Sequence, residues 1–232
     1  MPLEDAQVKM LILDMLKNPS ERDKQSLIGA SEIGNPCDYC VGCRLLGRKQ
    51  KESLYWLGGR IGTGIHAELE KEAEKHTVKA ENYRFLPLEG ARIEQKITLG
   101  TIDGLGTLKS KPDLVLVRDK HLLDHKTTSK TKLAKYKLDG VPMQYVYQQS
   151  LYAWGLGKEG IEIERISLVF ICRDGSGDND IWIYSWDYDE AQALKAWDRL
   201  ELIWKWLQDG NDVETLTSDP GCWYCNNVLQ RW

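Results

Sequence analysis

The sequence lacks a long uninterrupted apolar run of the kind that crosses a membrane as a helix. A spanning helix needs about 20 consecutive apolar residues. The opening stretch MPLEDAQVKMLILDMLKNPSE is short, broken by Asp14 and preceded by acids rather than a basic region. Neither a signal peptide nor a membrane span is expected, and a cytoplasmic location follows. An excess of basic charge is missing too: 31 Lys and Arg face 35 Asp and Glu, for a net charge of −4. Such a chain does not coat nucleic acid by bulk electrostatics. Phenylalanine is almost absent, with two residues against nine tryptophans, an excess that reads as packing. Proline and glycine are scattered rather than concentrated, which excludes collagenous and low-complexity chains. What remains is a globular α/β protein of 232 residues, 42% hydrophobic and 28% charged.

Apolar spacing predicts the elements. Val8, Leu11, Ile12, Met15 and Leu16 mark an amphipathic helix stopped by the turn at Asn18 to Ser20. Residues 28–36 read as a loop. A second helix is expected from Gly62 to about His76, with Ile65, Leu69 and Ala73 on one side and His66 in its first turn. Residues 92–99, RIEQKITL, alternate as one half-buried strand. DLVLVR (113–118) and HLLDHK (121–126), separated by Asp119 and Lys120, form a hairpin. A run of lysines follows. Pro142 then opens a helix in which Gln144, Gln148 and Tyr152 share a face and which the glycines at 155, 157 and 160 end. Two strands, IERISLVFIC and IWIYSW, flank the turn RDGSGDND. The last helix, from about Asp189 to Gln208, carries Leu194, Trp197, Leu200, Trp204 and Leu207 as its apolar stripe. These elements predict one domain over residues 1–232, with a core at about 60–186 and cysteine-bearing parts at 33–45 and 187–232.

The chemistry concentrates in residues 111–129. Asp113 begins one strand of the hairpin and Asp124 ends the next, so both carboxylates reach the same end of a sheet. Paired carboxylates repel unless a divalent cation bridges them, and removing one should leave a metal-free fold as stable or more so. Lys126, two residues past Asp124, shares its face and could stabilise charge growing on a phosphate. His125 points the other way and could offer only its backbone carbonyl. Lysines at 126, 130, 132, 135 and 137, and Arg44, Arg48, Lys49 and Lys51, make basic patches for gripping phosphates. Cys37, Cys40 and Cys43 cluster near the start and Cys222 and Cys225 near the end, while Cys172 sits in a buried-looking strand. Two Cys-x-x-Cys pairs make a closed tetrathiolate suited to Zn2+ or an iron–sulfur centre, and Cys43 could replace Cys40.

In the order Pro112, Asp113, Asp124, Lys126, the chain resembles the PD-(D/E)XK nuclease superfamily. It is most similar to the RecB-like exonucleases, including the CRISPR-associated type. GTGIHAELE (62–70) looks like that group's helix-borne His motif, and QQSLYAWGL (148–156) like its Gln-x-x-x-Tyr motif. The resemblance implies a restriction-endonuclease-like mixed sheet flanked by helices. It implies His66, Asp113, Asp124 and the His125 carbonyl on Mg2+ or Mn2+, Lys126 beside the attacking water, and Gln148 and Tyr152 contacting the lysine or the DNA. It also implies a 4Fe-4S cluster, or structural zinc, on cysteines. The pattern departs from the family here, with three cysteines before the core and two after it, where relatives have one and three.

The function expected is therefore a metal-dependent deoxyribonuclease, an exonuclease preferring single-stranded DNA ends. Recombination or CRISPR adaptation proteins are candidate partners, and the oligomeric state stays open. The alternative is a non-catalytic nucleic-acid-binding or adaptor protein built on the same cysteine-stapled fold. A thiol redox enzyme fits less well, because neither Cys-x-x-Cys follows a strand and opens a helix.

Overall fold

The computed structural model describes residues 7–10, 13, 28–48, 56–78, 90–220, 222 and 225. Its helices are α1 (Ala30–Ile33), α2 (Asp38–Leu45), α3 (Trp56–Val78), α4 (Lys130–Asp139), α5 (Met143–Lys158) and α6 (Glu190–Gln208). Its strands are β1 (Arg92–Ile93), β2 (Ile97–Ile102), β3 (Gly106–Ser110), β4 (Leu114–Leu116), β5 (His121–Thr128), β6 (Arg165–Cys172) and β7 (Ile181–Asp187). Residues 7–10 are helical, as the opening pattern predicts, whereas Leu11, Ile12, Met15 and Leu16 lie outside the described residues. Among the described residues no helix is long and apolar enough to cross a membrane.

Five strands form a mixed sheet in the order β1-β4-β5-β6-β7. The β4–β5 hairpin is antiparallel, as expected, and so is β6–β7; β5 and β6 run parallel. A parallel pair needs a long crossover, and α4 with α5 supplies it. The main core packs Leu122 and Ile166 of the sheet with Leu151 and Leu156 of α5, Ile97, Leu99 and Leu108 of the β2–β3 hairpin, and Trp197 and Leu200 of α6.

The structure corrects several expectations. The strand predicted over 92–99 is two strands in two sheets: Glu94 adopts φ 48, so β1 pairs with β4 while β2 leaves to pair with β3. The alternation survives the break because Ile97 and Leu99 face the core. Residues 28–36 contain α1, which Glu32 closes by accepting the Gly29 N–H at 3.0 Å. The lysine run folds as α4, with Ser129 accepting the Lys132 N–H at 3.3 Å and only Leu133 and Tyr136 buried. Helix α3 starts six residues before Gly62. Helix α5 runs through Gly155 and Gly157. A Cβ at Gly155 would press within 3.1 Å of Ile97 Cδ1 and the Thr98 carbonyl, so this glycine admits β2 against the helix rather than ending it. On α6, Leu194 is 41% exposed, and the buried stripe is Ala193, Ala196, Trp197, Leu200 and Ile203.

One close approach yields a stability test. A Cβ on Gly34 would lie 2.7 Å from the Gln144 carbonyl, 3.0 Å from the Gln148 nitrogen and 3.1 Å from the Ala30 carbonyl. All three are backbone atoms with no rotamer to move. Gly34→Ala should therefore separate α1 from α5 and destabilise the fold by about 1–3 kcal/mol, read as a lower urea midpoint. An unchanged midpoint would show that the two segments move apart freely.

Candidate active site and cysteine cluster

Hairpin geometry explains how Asp113 is held. Strand β4 begins at Leu114, opposite Leu123, so the described pairing leaves β5 without a β4 partner from Asp124 onward. The Asp113 carboxylate fills that edge: its Oδ2 accepts the His125 backbone N–H at 2.7 Å. The same oxygen lies 3.2 Å from His66 Nδ1 on α3 and 3.4 Å from His125 Nδ1. The two imidazoles meet edge to face, 5.9 Å between centroids. The expectation that His125 contributes only a carbonyl is corrected. Strand alternation turns its ring away from Asp124, but Asp113 reaches round the open edge to meet it. Burial raises the Asp113 carboxyl, and the hydrogen bonds from His125 and His66 outweigh this, holding it well below the usual carboxylate range. His66 is raised in turn, by its hydrogen bond to Asp113 against the effect of burial.

Asp124 is 1% exposed and forms an ion pair with Lys126 through its Oδ2. Burial raises the Asp124 carboxyl. The Lys126 ammonium is disfavoured by burial but held up by Asp124 and Asp113. Helix α5 closes over this pair. The Lys126 Nζ lies 5.3 Å from the centre of the Tyr145 ring, and burial pushes the Tyr145 phenol up to about 12. Gln148 Nε2 donates to the Tyr152 hydroxyl at 3.0 Å, so these two residues are joined to each other. Tyr152 lies near enough to Asp124 and Asp113 that their charge adds to burial in raising its phenol. Tyr145 and Gln149, which also approach the acid–lysine pair, were not singled out by the sequence pattern. Gln149 is 0% exposed, with its amide beside Asp124. Tyr145 and Gln149 repeat, three residues earlier, the four-residue spacing of Gln148 and Tyr152, and that repeat was the available signal.

The donor set suits a divalent cation. Asp113, His66 and His125 bring one carboxylate oxygen and two ring nitrogens within 4.8 Å of one another; Asp124 is outside that group but near enough for its charge to act on His66 and Asp113. A proton and a cation compete for His66, so binding should weaken as pH falls. The His66–Asp113 pair also gives a metal-free prediction. An upward imidazole shift stabilises fully below the ordinary value of about 6.5 and fades as pH rises through the raised value. Without added divalent metal, His66→Ala should thus lose more stability at pH 6 than at pH 9, measured by urea unfolding. Equal losses at the two pH values would mean the pair carries no net charge interaction.

The second cluster joins α2 and the loop before it to the segment that carries Cys222 and Cys225. Cys37, Cys40, Cys222 and Cys225 are all buried, and their sulfurs lie within 4.8 Å of one another. Cys40 Sγ is 3.1 Å from Cys225 and 3.4 Å from Cys222, and Cys37 is 3.5 Å from Cys225. Cys43 is buried on α2 but outside this group, so the structure does not place it in exchange for Cys40. Cys172 is buried in β6, as expected. Sharing a proton with its neighbour holds the Cys37 thiol down despite burial, while Cys40 is driven up. The loop entering α2 is fixed by Arg199, whose Nη2 donates to the Ile33 and Asn35 carbonyls at 2.6 and 2.5 Å, and by the Cys37 N–H on Asn35 Oδ1 at 3.0 Å. Four soft thiolates fit a tetrathiolate metal or an iron–sulfur cluster. Of the second basic patch, Arg48 is bound to Glu214 at 2.5 Å and Arg44 lies 3.9 Å from Glu32, while Lys49 and Lys51 lie outside the described residues.

No protein-family model matches the chain, and no curated protein matches it. Solved structures do. A candidate exonuclease from Eubacterium rectale is 14% identical, with 100% of this chain and 96% of that chain covered and a TM-score of 0.53. The alkaline exonuclease LHK-Exo from Laribacter hongkongensis, in complex with dAMP, is 17% identical, with 81% and 90% covered and a TM-score of 0.50. At such identities the likeness is one of fold: a mixed sheet flanked by helices.

Proposed function

We propose that this chain is a divalent-metal-dependent deoxyribonuclease of RecB-like type, an exonuclease that hydrolyses phosphodiester bonds from single-stranded DNA ends. The observation that carries the reading is the meeting of Asp113, Asp124 and Lys126 with His66 and His125 at one end of the β4–β5 hairpin. The dAMP in one structural neighbour supports DNA as the substrate. Bound by Asp113, Asp124, His66 and His125, Mg2+ or Mn2+ would polarise the scissile phosphate and acidify an attacking water. Lys126 keeps its proton beside Asp124 and faces the phosphate with a charge that needs no reorganisation as negative charge grows. The Tyr145 ring limits where that ammonium can go, and the Gln148–Tyr152 pair braces the helix behind it. The whole chain acts as one domain in this reading, in the cytoplasm, in DNA recombination, repair or CRISPR adaptation and with the proteins of those processes as partners.

The cysteine group is proposed as a structural metal centre. The resemblance favours a 4Fe-4S cluster, whereas the sulfur spacing favours zinc: a tetrahedral ion about 2.3 Å from each sulfur sets the sulfurs roughly 3.8 Å apart. The test of the nuclease reading is digestion of end-labelled single- and double-stranded DNA with Mg2+, Mn2+ or EDTA. Shortening of single strands from an end, abolished by EDTA, is expected. Absence of metal-dependent cleavage of either substrate overturns the reading and favours the binding or adaptor alternative.

A further inference from the structure

The sheet face that carries Asp124 and Lys126 continues, row by row, to the sheet's edge. Register aligns Lys126 with Phe170 and Phe170 with Trp182; the next row is Asp124, Leu168, Tyr184, and the next Leu122, Ile166, Trp186. Phe170 is fully buried, but Trp182, Tyr184 and Trp186 on β7 are partly exposed. Their rings succeed one another without a gap. Phe170 stacks on Trp182 at 5.4 Å, and both Trp182–Tyr184 and Tyr184–Trp186 are 5.6 Å apart. Tyr145 ties this ladder to the site, lying 5.3 Å from Lys126 and 6.1 Å from Phe170.

Helix α4 lies along the same face. Lys132, Lys135 and Lys137 are exposed, and no acid precedes Asp139 on this helix. Lys137 Nζ stands 5.8 Å from the Trp182 ring and Lys132 Nζ 5.7 Å from the Tyr136 ring. Lys130 is paired with Asp180 at 3.0 Å and is left out of account. Packing alone would account for large rings at a sheet edge, but not for exposed lysines beside a row of partly exposed rings; the acids Asp174 and Asp180 stand at the Trp182 end, where Asp180 pairs with Lys130. Rings in series beside a positive rail are how single strands are held without sequence preference, since every base has a face to stack.

We propose that the β7 ladder and the α4 lysines form a track for the single-stranded DNA adjoining the cleaved end, with bases on Trp182, Tyr184 and Trp186 and phosphates on Lys132, Lys135 and Lys137. This rests on the nuclease reading. Two strand spacings of about 4.8 Å put Trp182 roughly 10 Å from Lys126 across the sheet, so the track starts within a few nucleotides of the scissile bond. The exposed acids Asp187, Asp189 and Glu190 follow Trp186, which keeps the track short.

The experiment compares wild type with Trp182→Leu/Tyr184→Leu and with Lys132→Ala/Lys137→Ala. The probes are a fluorescent 20-nucleotide oligothymidylate, the same oligonucleotide in a duplex, and thymidine 5′-(p-nitrophenyl phosphate), which is too small to reach the track. The aromatic variant should bind the single strand at least about tenfold more weakly while hydrolysing the small ester at the wild-type rate. The lysine variant should bind more weakly, with the salt slope reduced by about two. If the aromatic variant fails to fold, the lysine variant decides. Wild-type affinity for the single strand in folded variants overturns the track and leaves the nuclease reading standing. An equal loss on the duplex overturns base stacking. A wild type that hydrolyses neither ester nor oligonucleotide overturns the nuclease reading, and the binding arm then judges the track alone.

Discussion

Asp113→Asn, Asp124→Asn and Lys126→Met are each expected to lower DNA cleavage by about a thousandfold or more. Deleting a single preorganised donor aimed at developing charge already costs about 100- to 1,000-fold in other enzymes; Lys126 is proposed as such a donor, and either Asp variant would remove a carboxylate proposed to hold the divalent cation. The choice of replacement matters. The sequence suggests that deleting either carboxylate relieves repulsion and leaves the fold as stable or more so, but Asp124 is buried and matched by Lys126. Taking away one partner of a buried pair strands the other charge, at about 3–5 kcal/mol. Asp124→Ala should therefore lose melting temperature as well as activity; Asp124→Asn also leaves Lys126 without its counter-charge but keeps the volume and an amide oxygen to accept from it, so its loss of melting temperature should be smaller. Rates on end-labelled DNA in Mn2+, with circular dichroism to verify folding, check this. A wild-type rate for Asp124→Asn would remove the active-site assignment.

Serine at Cys222 or Cys225 is expected to release the metal proposed for the cysteine group and lower the melting temperature by about 10 °C or more. A site that does not exist in the unfolded chain converts binding energy into folding energy, worth several kcal/mol here, and each kcal/mol moves a domain of this size by about 2–4 °C. The contacts span 182 to 188 residues of sequence, so the metal also restricts a very long loop. Activity should fall only as the fold fails. Cys43→Ser should keep the metal, because Cys43 lies outside the four-sulfur group. Broad absorbance near ~400 nm identifies an iron–sulfur centre; a colourless protein with about one zinc per chain identifies the alternative. Neither metal in anaerobically prepared protein would remove the basis of the cysteine argument.

The hairpin, α5 and the β6–β7 pair were legible because their apolar residues recur with one period between clear turns. The break at Glu94 was not, since its cause is a single backbone angle that leaves the alternation on either side intact. Strand β3 buries only Leu108, and α4 only Leu133 and Tyr136, too few to declare a period. Within the site, identity and order picked out Asp113, Asp124, Lys126 and His66. The place of the His125 ring and the contact of Gln149 depend on where β4 stops and how α5 crosses the sheet, which are tertiary facts.

The distance along the chain between the cysteine pairs also sets an order of events during synthesis. At about 5–20 residues per second, the 182 residues between Cys40 and Cys222 take roughly 10–40 s to translate. Throughout that interval Cys37 and Cys40 have left the peptidyl-transferase centre without the thiols that complete their cage. Asp113, Asp124, Lys126 and α5 are also made before the four thiols can come together, so a metal held by all four could be loaded only after the residues of the proposed active site have been synthesised.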